Sequence, residues 1–205
     1  KLSKLKEENA TNEAAKNHQH TIIGGGLHCR SHYDRENEIV GEWNIGHPSA
    51  DFPALYLAWF DHLLRGKDNG VSDLERIYSY TNGSNGQWRT GNEWPYADST
   101  PNKLILQSEG RANSAAGTGE LLFDKALVSD QDEFIYDPMN PVPTTGGMPE
   151  TIASVRAGSL EQSAVEVRED VLIYTTKPLE EDLEIIGRAK VNLFISTNVI
   201  DTDFV

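Results

Sequence analysis

The run SADFPALYLAWFDHLLRG, residues 49–66, is the most strongly patterned part of the chain. Phe52, Leu55, Tyr56, Trp59, Phe60, Leu63 and Leu64 recur at i, i+3, i+4, i+7, i+8, i+11 and i+12, which places them on one face of a 3.6-residue helix. Ser49 or Asp51 can cap its start, Pro53 fits its first turn, and Gly66 can end it after Arg65. The pattern predicts a helix over 51–64 with Phe52, Tyr56, Trp59 and Leu63 packed on a sheet as core, not as a cofactor box. Upstream, HQHTIIGGG (18–26) reads as a short apolar strand running into glycines, and residues 1–16, rich in Lys, Glu and Ala, as an exposed helix. Helix, strand and glycine-rich turn make an α/β rhythm. Residues 27–48 are polar, carry both signs of charge, and read as a long surface loop. Leu74–Tyr80 alternates apolar and polar residues well enough for a strand, Asn82–Gly86 is a turn by composition, and WRTGNEWP (88–95) leads out of the α/β region.

Beyond about residue 100 the grammar changes. Short β-rich runs follow one another: KLILQ at 103–107, ELLF at 120–123, DVLIYTT at 170–176, LEIIG at 183–187 and KVNLFIS at 190–196. Gly, Pro, Ser and Asn segments separate them and no amphipathic helix intervenes, a pattern that predicts an antiparallel β-sandwich. The fold class expected is therefore α/β followed by all-β, with domains 1–99 and 100–205 and a boundary near 95–102. No internal repeat is visible.

Composition narrows the function. The formal charge of −14, from 32 acidic and 18 basic residues, would repel a polyphosphate, so no nucleic-acid partner is expected. The apolar runs fall far short of the ~20 residues needed to span a bilayer, so no membrane partner is expected either. Nothing at the start reads as a signal peptide. With no initiating Met, and with Val205 inside an apparent strand, both ends are expected to be cut. The single cysteine, Cys29, leaves no internal disulfide framework and no thiolate-rich zinc site.

His28 follows a strand and Gly24, Gly25 and Gly26, and opens an irregular stretch. Histidine bases of α/β-hydrolases occupy such loops, where the ring reaches a nucleophile on a neighbouring turn; an ordinary loop histidine has the same local sequence. A metal reading competes for His18 with His20 and for His28 with His32, but an HxxxH pair binds well only on a helix, and the glycines argue against one. Cys29 beside His28 suggests a dyad, yet adjacent side chains on an extended chain diverge. A nucleophile motif G-x-S-x-G is missing. Its nearest match, NGSNG at 82–86, lacks the first glycine and does not run into a helix, and Ser159 in RAGSLEQS fails similarly, so Ser84 and Ser159 are decoys. Asp201 and Asp203 alternate as a cation site would, although a strand edge or turn explains them as well.

Six ordered segments resemble the CocE/NonD family of bacterial serine hydrolases, which includes cocaine esterases, X-prolyl dipeptidyl peptidases and α-amino-acid ester hydrolases. IIGGGLHC looks like the family's strand, glycine turn and catalytic histidine, with Gly25 and Gly26 where members often carry a Pro-aromatic pair. SADFPALYLAWFDHLLRGKDNGV is similar to the helix that follows, and QWRTGNEWP to the segment ending the hydrolase domain. The intervening YSYTNGSNG departs from the Met-Gly usual there. FIYDPMNPVPTTGG resembles the YDP-x-x-PVP-x-x-GG signature, read here as a rigid crossover, and REDVLIYTTKPLEEDLEIIGRAKVNLFIS with DTDF resembles the opening of a C-terminal jelly roll. The resemblance implies the C-terminal portion of an α/β-hydrolase domain followed by the start of a jelly-roll β-sandwich. It implies a Ser-His-Asp hydrolase with His28 as general base, and with the Ser, the Asp and a helical cap upstream of Lys1. It implies a small-molecule ester or short peptide, X-prolyl peptides included, as substrate, and no cofactor or metal. The alternatives are a non-catalytic β-sandwich binding or structural module with a vestigial His28, and a metal-dependent hydrolase.

Overall fold

The computed structural model describes residues 12–13, 18–27, 36–83, 86–123, 129–147, 156–202 and 204. Among them the elements run β1 (Thr21–Ile23), β2 (Ile39–Val40), β3 (Trp43–Asn44), α1 (Phe52–Arg65), a 3-10 turn (Val71–Asp73), β4 (Ile77–Thr81), β5 (Gln87–Gly91), β6 (Leu104–Gln107), β7 (Glu120–Phe123) and α2 (Ser163–Glu166). These are mostly small sheets with few helices. The helix expected over residues 1–16 lies almost wholly outside the described residues.

α1 has the ends its sequence predicts. The Asp51 carboxylate accepts from the Ala54 N–H at 2.9 Å, satisfying one of the donors that a helix start leaves orphaned. Gly66 takes φ 65°, and its N–H and that of Lys67 return to the carbonyls of His62 and Asp61 at 3.0 and 3.2 Å. This left-handed closure suits glycine, which has no Cβ to clash.

The packing of α1 differs from expectation. None of its residues is fully buried, and Tyr56 and Leu63 are 58% and 50% exposed. Phe52, Leu55, Ala58, Trp59 and His62 are half-buried instead. The helix is held by that side, with the Trp59 ring 5.0 Å from the His20 ring edge-on and the Asn69 side-chain amide donating to the Ala58 carbonyl at 2.8 Å. The apolar stripe is wider than the surface presented to it, so the Tyr56–Phe60–Leu63 side is left to solvent.

The main sheet has the order β1-β4-β5. β1 and β4 are parallel, Thr21 opposite Ile77 and Ile23 opposite Ser79, with α1 in their connection. Parallel neighbours need a crossover, and a helix commonly supplies it. β5 adds antiparallel to β4 from Ile77↔Gly91 to Thr81↔Gln87. Residues 88–95 are expected to lead out of the α/β region, yet Gln87–Gly91 is the third strand of the sheet: pairing with β4 outweighs the weak alternation of QWRTG. The stretch 27–48, expected as a loop, also holds structure. β2 and β3 form a hairpin (Ile39↔Asn44, Val40↔Trp43) that buries Glu38, Ile45 and Pro48 at its base. Two-residue strands are too short to show a period.

In the second half β6 and β7 pair antiparallel, Leu104 opposite Phe123 and Gln107 opposite Glu120, as their sequence predicts. The three later runs do not form strands. Residues 170–176 make only single bridges, Leu172 to Asn113 and Thr175 to Glu120. Residues 183–187 and 190–196 pair with no described strand and are largely exposed, with Ile185 80% and Val191 72% accessible. A strand is stable only within a ladder, and no described segment offers these runs one. Among the described residues the buried apolar side chains are few: Ile45, Val71, Tyr80 and Tyr96 in the first half, Ala112 and Val165 in the second.

Candidate functional site

His28, Cys29 and His32 lie outside the described residues, as does Ser84. The flanks of that segment are described, and they converge. β1 runs into Gly25, which is buried so tightly that a Cβ there would stand 2.5 Å from Tyr80 Cδ1 and 2.9 Å from Pro48 Cβ. Gly26 follows at φ 91°, turning the chain in a way that L side chains rarely allow. On the far flank Glu38 is only 3% exposed, and its Cγ lies 3.7 Å from where a Gly26 Cβ would be. The Tyr80 hydroxyl donates to the Ile45 carbonyl, tying β4 to the hairpin base; burial pushes its pKa up. The chain thus leaves the sheet at Gly26 and returns beside it at Glu38.

The other histidines are placed as follows. His18 is exposed. The His20 Nδ1 lies 3.1 Å from the Glu75 carbonyl, so that nitrogen carries a proton in the contact, and its ring meets Trp59. The His62 Nδ1 is 3.0 Å from the Lys67 carbonyl at the helix end. Among the described residues no three His, Cys, Asp or Glu side chains converge as a metal site would require. Asp201 is exposed and Asp203 is outside the description. Ser159 bridges to Gly41 through its backbone.

Three polar centres were not legible in the sequence. The Asp132 carboxylate accepts from the Ser108 hydroxyl at 2.6–2.7 Å, the Tyr174 hydroxyl at 2.6 Å and the Ala112 N–H at 2.8 Å. Burial disfavours its charge, but these donors outweigh that and hold its pKa below the usual carboxylate range. Burial and the facing Asp132 charge push Tyr174 upward. Nearby, Arg168 grips Asp170 through two contacts of 2.7 and 2.6 Å and donates to the Asn140 carbonyl at 2.7 Å. Arg168 and Asp170, with Arg111 and Asn113, line an open cavity of about 740 Å³. Arg89 lies 4.5 Å over the Tyr96 ring and donates to Asp98 and to Glu184 at 2.7–2.9 Å. Asp132 draws on residues 20 to 42 positions away, Arg168 on Asn140 28 away and Arg89 on Glu184 95 away, so local motifs do not announce these ties.

The family described as the X-Pro dipeptidyl-peptidase C-terminal non-catalytic domain matches residues 69–205. Cocaine esterase of Rhodococcus sp. is 30% identical over 160 residues, covering 77% of this chain and 27% of the esterase. Two proteins named as serine esterases, from Mycobacterium bovis and Mycobacterium tuberculosis, are each 24% identical over 182 residues, covering 81% of this chain and 27% of theirs. The chain therefore spans only about a quarter of these relatives. Residues 69–205 are about two thirds of the chain, so alignments covering more than that reach upstream of residue 69, into α1.

Proposed function

The chain belongs to the cocaine esterase and X-Pro dipeptidyl-peptidase family, and from that premise we propose that it is the base-bearing, C-terminal part of a serine hydrolase acting on ester or amide bonds. In this reading residues 1–99 are the end of an α/β-hydrolase domain and residues 100–205 the start of a jelly roll. His28 is the general base, and a Ser and an Asp come from sequence preceding Lys1. A serine hydroxyl is barely ionised at neutral pH, so its attack on a carbonyl needs a base within hydrogen-bond reach. His28 takes that proton as the tetrahedral intermediate forms, then returns it to the leaving alcohol or amine. The same ring next deprotonates the water that cleaves the acyl-enzyme, and the Asp holds its tautomer.

The observation that carries the reading is the 30% identity to cocaine esterase over a span extending upstream into α1. The glycine turn before His28 adds to it. A second reading, a non-catalytic binding module, is favoured by the description of the matched family as non-catalytic and by the cavity at Arg111 and Arg168.

The test is His28→Ala in the enzyme made from the complete reading frame. Turnover of an aryl ester should fall by about 10³–10⁶-fold while the melting temperature holds, and His32→Ala should change turnover far less. Labelling by a fluorophosphonate, which needs an activated serine, should be strong in the parent protein. An unlabelled parent would leave the binding-module reading standing, and a His28 variant with near-normal turnover would show that His28 is not the base.

A further inference from the structure

Three glycines far apart in sequence meet backbone to backbone. A Cβ on Gly41 would lie 2.0 Å from the Ser159 carbonyl oxygen, one on Gly158 2.2 Å from the Gly41 nitrogen, and one on Gly146 2.4 Å from the Gly158 carbonyl oxygen. Real Cβ atoms do not approach so closely, so no other residue fits at these points without moving backbone. The contact is also hydrogen-bonded. Gly147 and Gly158 exchange N–H···O bonds at 2.9 and 2.7 Å, the Glu42 N–H donates to the Ser159 carbonyl at 2.9 Å, and Arg156 donates to the Gly41 carbonyl. Gly146 and Gly147 end the PVPTTGG run, so that signature meets the tip of the β2–β3 hairpin through Gly158.

The base of the same hairpin contacts the glycine turn of the main sheet. Pro48 faces Gly25, Glu38 faces Gly26, and Ile45 accepts from Tyr80. The hairpin is closed across its base by Glu38 N–H to the Gly46 carbonyl and Ile45 N–H to the Glu38 carbonyl, both 2.9 Å. It is thus a short, hydrogen-bonded rod, with the β-rich half of the chain at its tip and the backbone two residues before His28 at its base.

We propose that the Gly41–Gly158–Gly146 seam is a positioning joint. Through the hairpin it lets the β-rich, non-catalytic half of the chain set where the Gly25–Gly26 turn, and so the general base, stands. This rests on His28 being the base. The chemistry favours such a joint because a backbone-on-backbone contact has no rotamers to absorb displacement, and errors near 1 Å at a reacting group are costly.

The experiment compares glycine variants in the complete enzyme, with turnover of an aryl ester normalised to serines titrated by fluorophosphonate. Gly147→Ala controls for backbone strain alone, because Gly147 has φ 77° but open space around its Cβ direction. Gly158→Ala, at φ 99°, adds the collision with Gly41. Expected is a fall in kcat per titrated serine of about tenfold or more for Gly158→Ala at similar KM, against about twofold or less for Gly147→Ala. Arg156→Ala, which loosens the seam without a collision, should lower kcat per site severalfold, and it decides the matter if Gly158→Ala fails to fold. Unchanged kcat per site in the variants that fold, even with lower melting temperatures, makes the seam merely structural and overturns the proposal. The two failures are distinct: if His28→Ala is active, the assignment of the base is wrong, whereas an inactive His28→Ala beside a normal Gly158→Ala sinks only the joint.

Discussion

At the scale of single residues, Asp132 is the side chain on which most depends in the second half. Removing its carboxylate strands the buried Ser108, the Ala112 N–H and the Tyr174 hydroxyl together. Asp132→Ala should cost roughly 2–4 kcal/mol in a denaturant titration, since a hydrogen-bonded charge is lost and donors are left unmatched. The pH dependence has a fixed sign. A carboxyl held below its ordinary value contributes stability above about pH 4, and that contribution disappears as pH falls through the lower folded-state pKa. Denaturant midpoints taken from pH 6 down to pH 2 should therefore fall more steeply in the parent than in Asp132→Asn; parallel curves would refute the coupling. Trp59 is half-buried against His20. Its replacement by Ala should cost about 2 kcal/mol, below the 3–5 typical of a fully enclosed aromatic, with turnover per folded enzyme unchanged. A loss of activity at constant stability would put the ring in a substrate pocket.

At the scale of elements, α1 shows where local sequence is sufficient. Its cap, proline and terminal glycine all act within one turn of where they stand in the chain. Asp51→Ala should cost about 1 kcal/mol through the lost Ala54 bond, and Gly66→Ala about 1–2 kcal/mol through its left-handed φ; chemical denaturation reads both. Gly25→Ala should cost more than either, because the added methyl meets Tyr80, Asn82 and Pro48 at once. The hairpin, β5 and the runs after residue 170 show the opposite. Their conformation depends on whether a partner edge is present, which the pattern of a five-residue run does not encode.

At the scale of the whole molecule, many large apolar side chains among the described residues stand open to solvent. They include Tyr56, Phe60 and Leu63 on α1, and Ile135, Met139, Ile185, Phe194 and Ile200 in the second half. Exposed apolar surface and unpaired edges associate. The 205-residue chain should bind a hydrophobic dye strongly and elute as aggregates; a monodisperse chain that leaves the dye dark would refute this. The 183–187 segment is tied back to the sheet through Glu184, which accepts from Thr81 and Arg89 at 2.8 and 2.7 Å. Arg89→Ala should accelerate limited proteolysis between residues 177 and 202 severalfold, and unchanged cleavage would mean the tie is not what holds the segment.

The sequence alone determined what is written within a few neighbours: the helix with its caps, the pairing-competent runs that became β6 and β7, and the ordered segments that carry the family likeness on which the proposal for His28 rests. Periodicity and capping act over three to seven residues and survive wherever the segment is placed. The tertiary structure alone decided that residues 38–46 form a hairpin, that Gln87–Gly91 joins the sheet, that Asp132 gathers three segments, and that Gly41, Gly146 and Gly158 touch. The Asp132 network and the Gly41 contact join segments distant in the chain, up to Arg156 and Gly41 across 115 residues, while the hairpin and β5 pair with near neighbours only where a partner edge is in place. No local pattern records such an approach, because it is fixed by the packing of every element between.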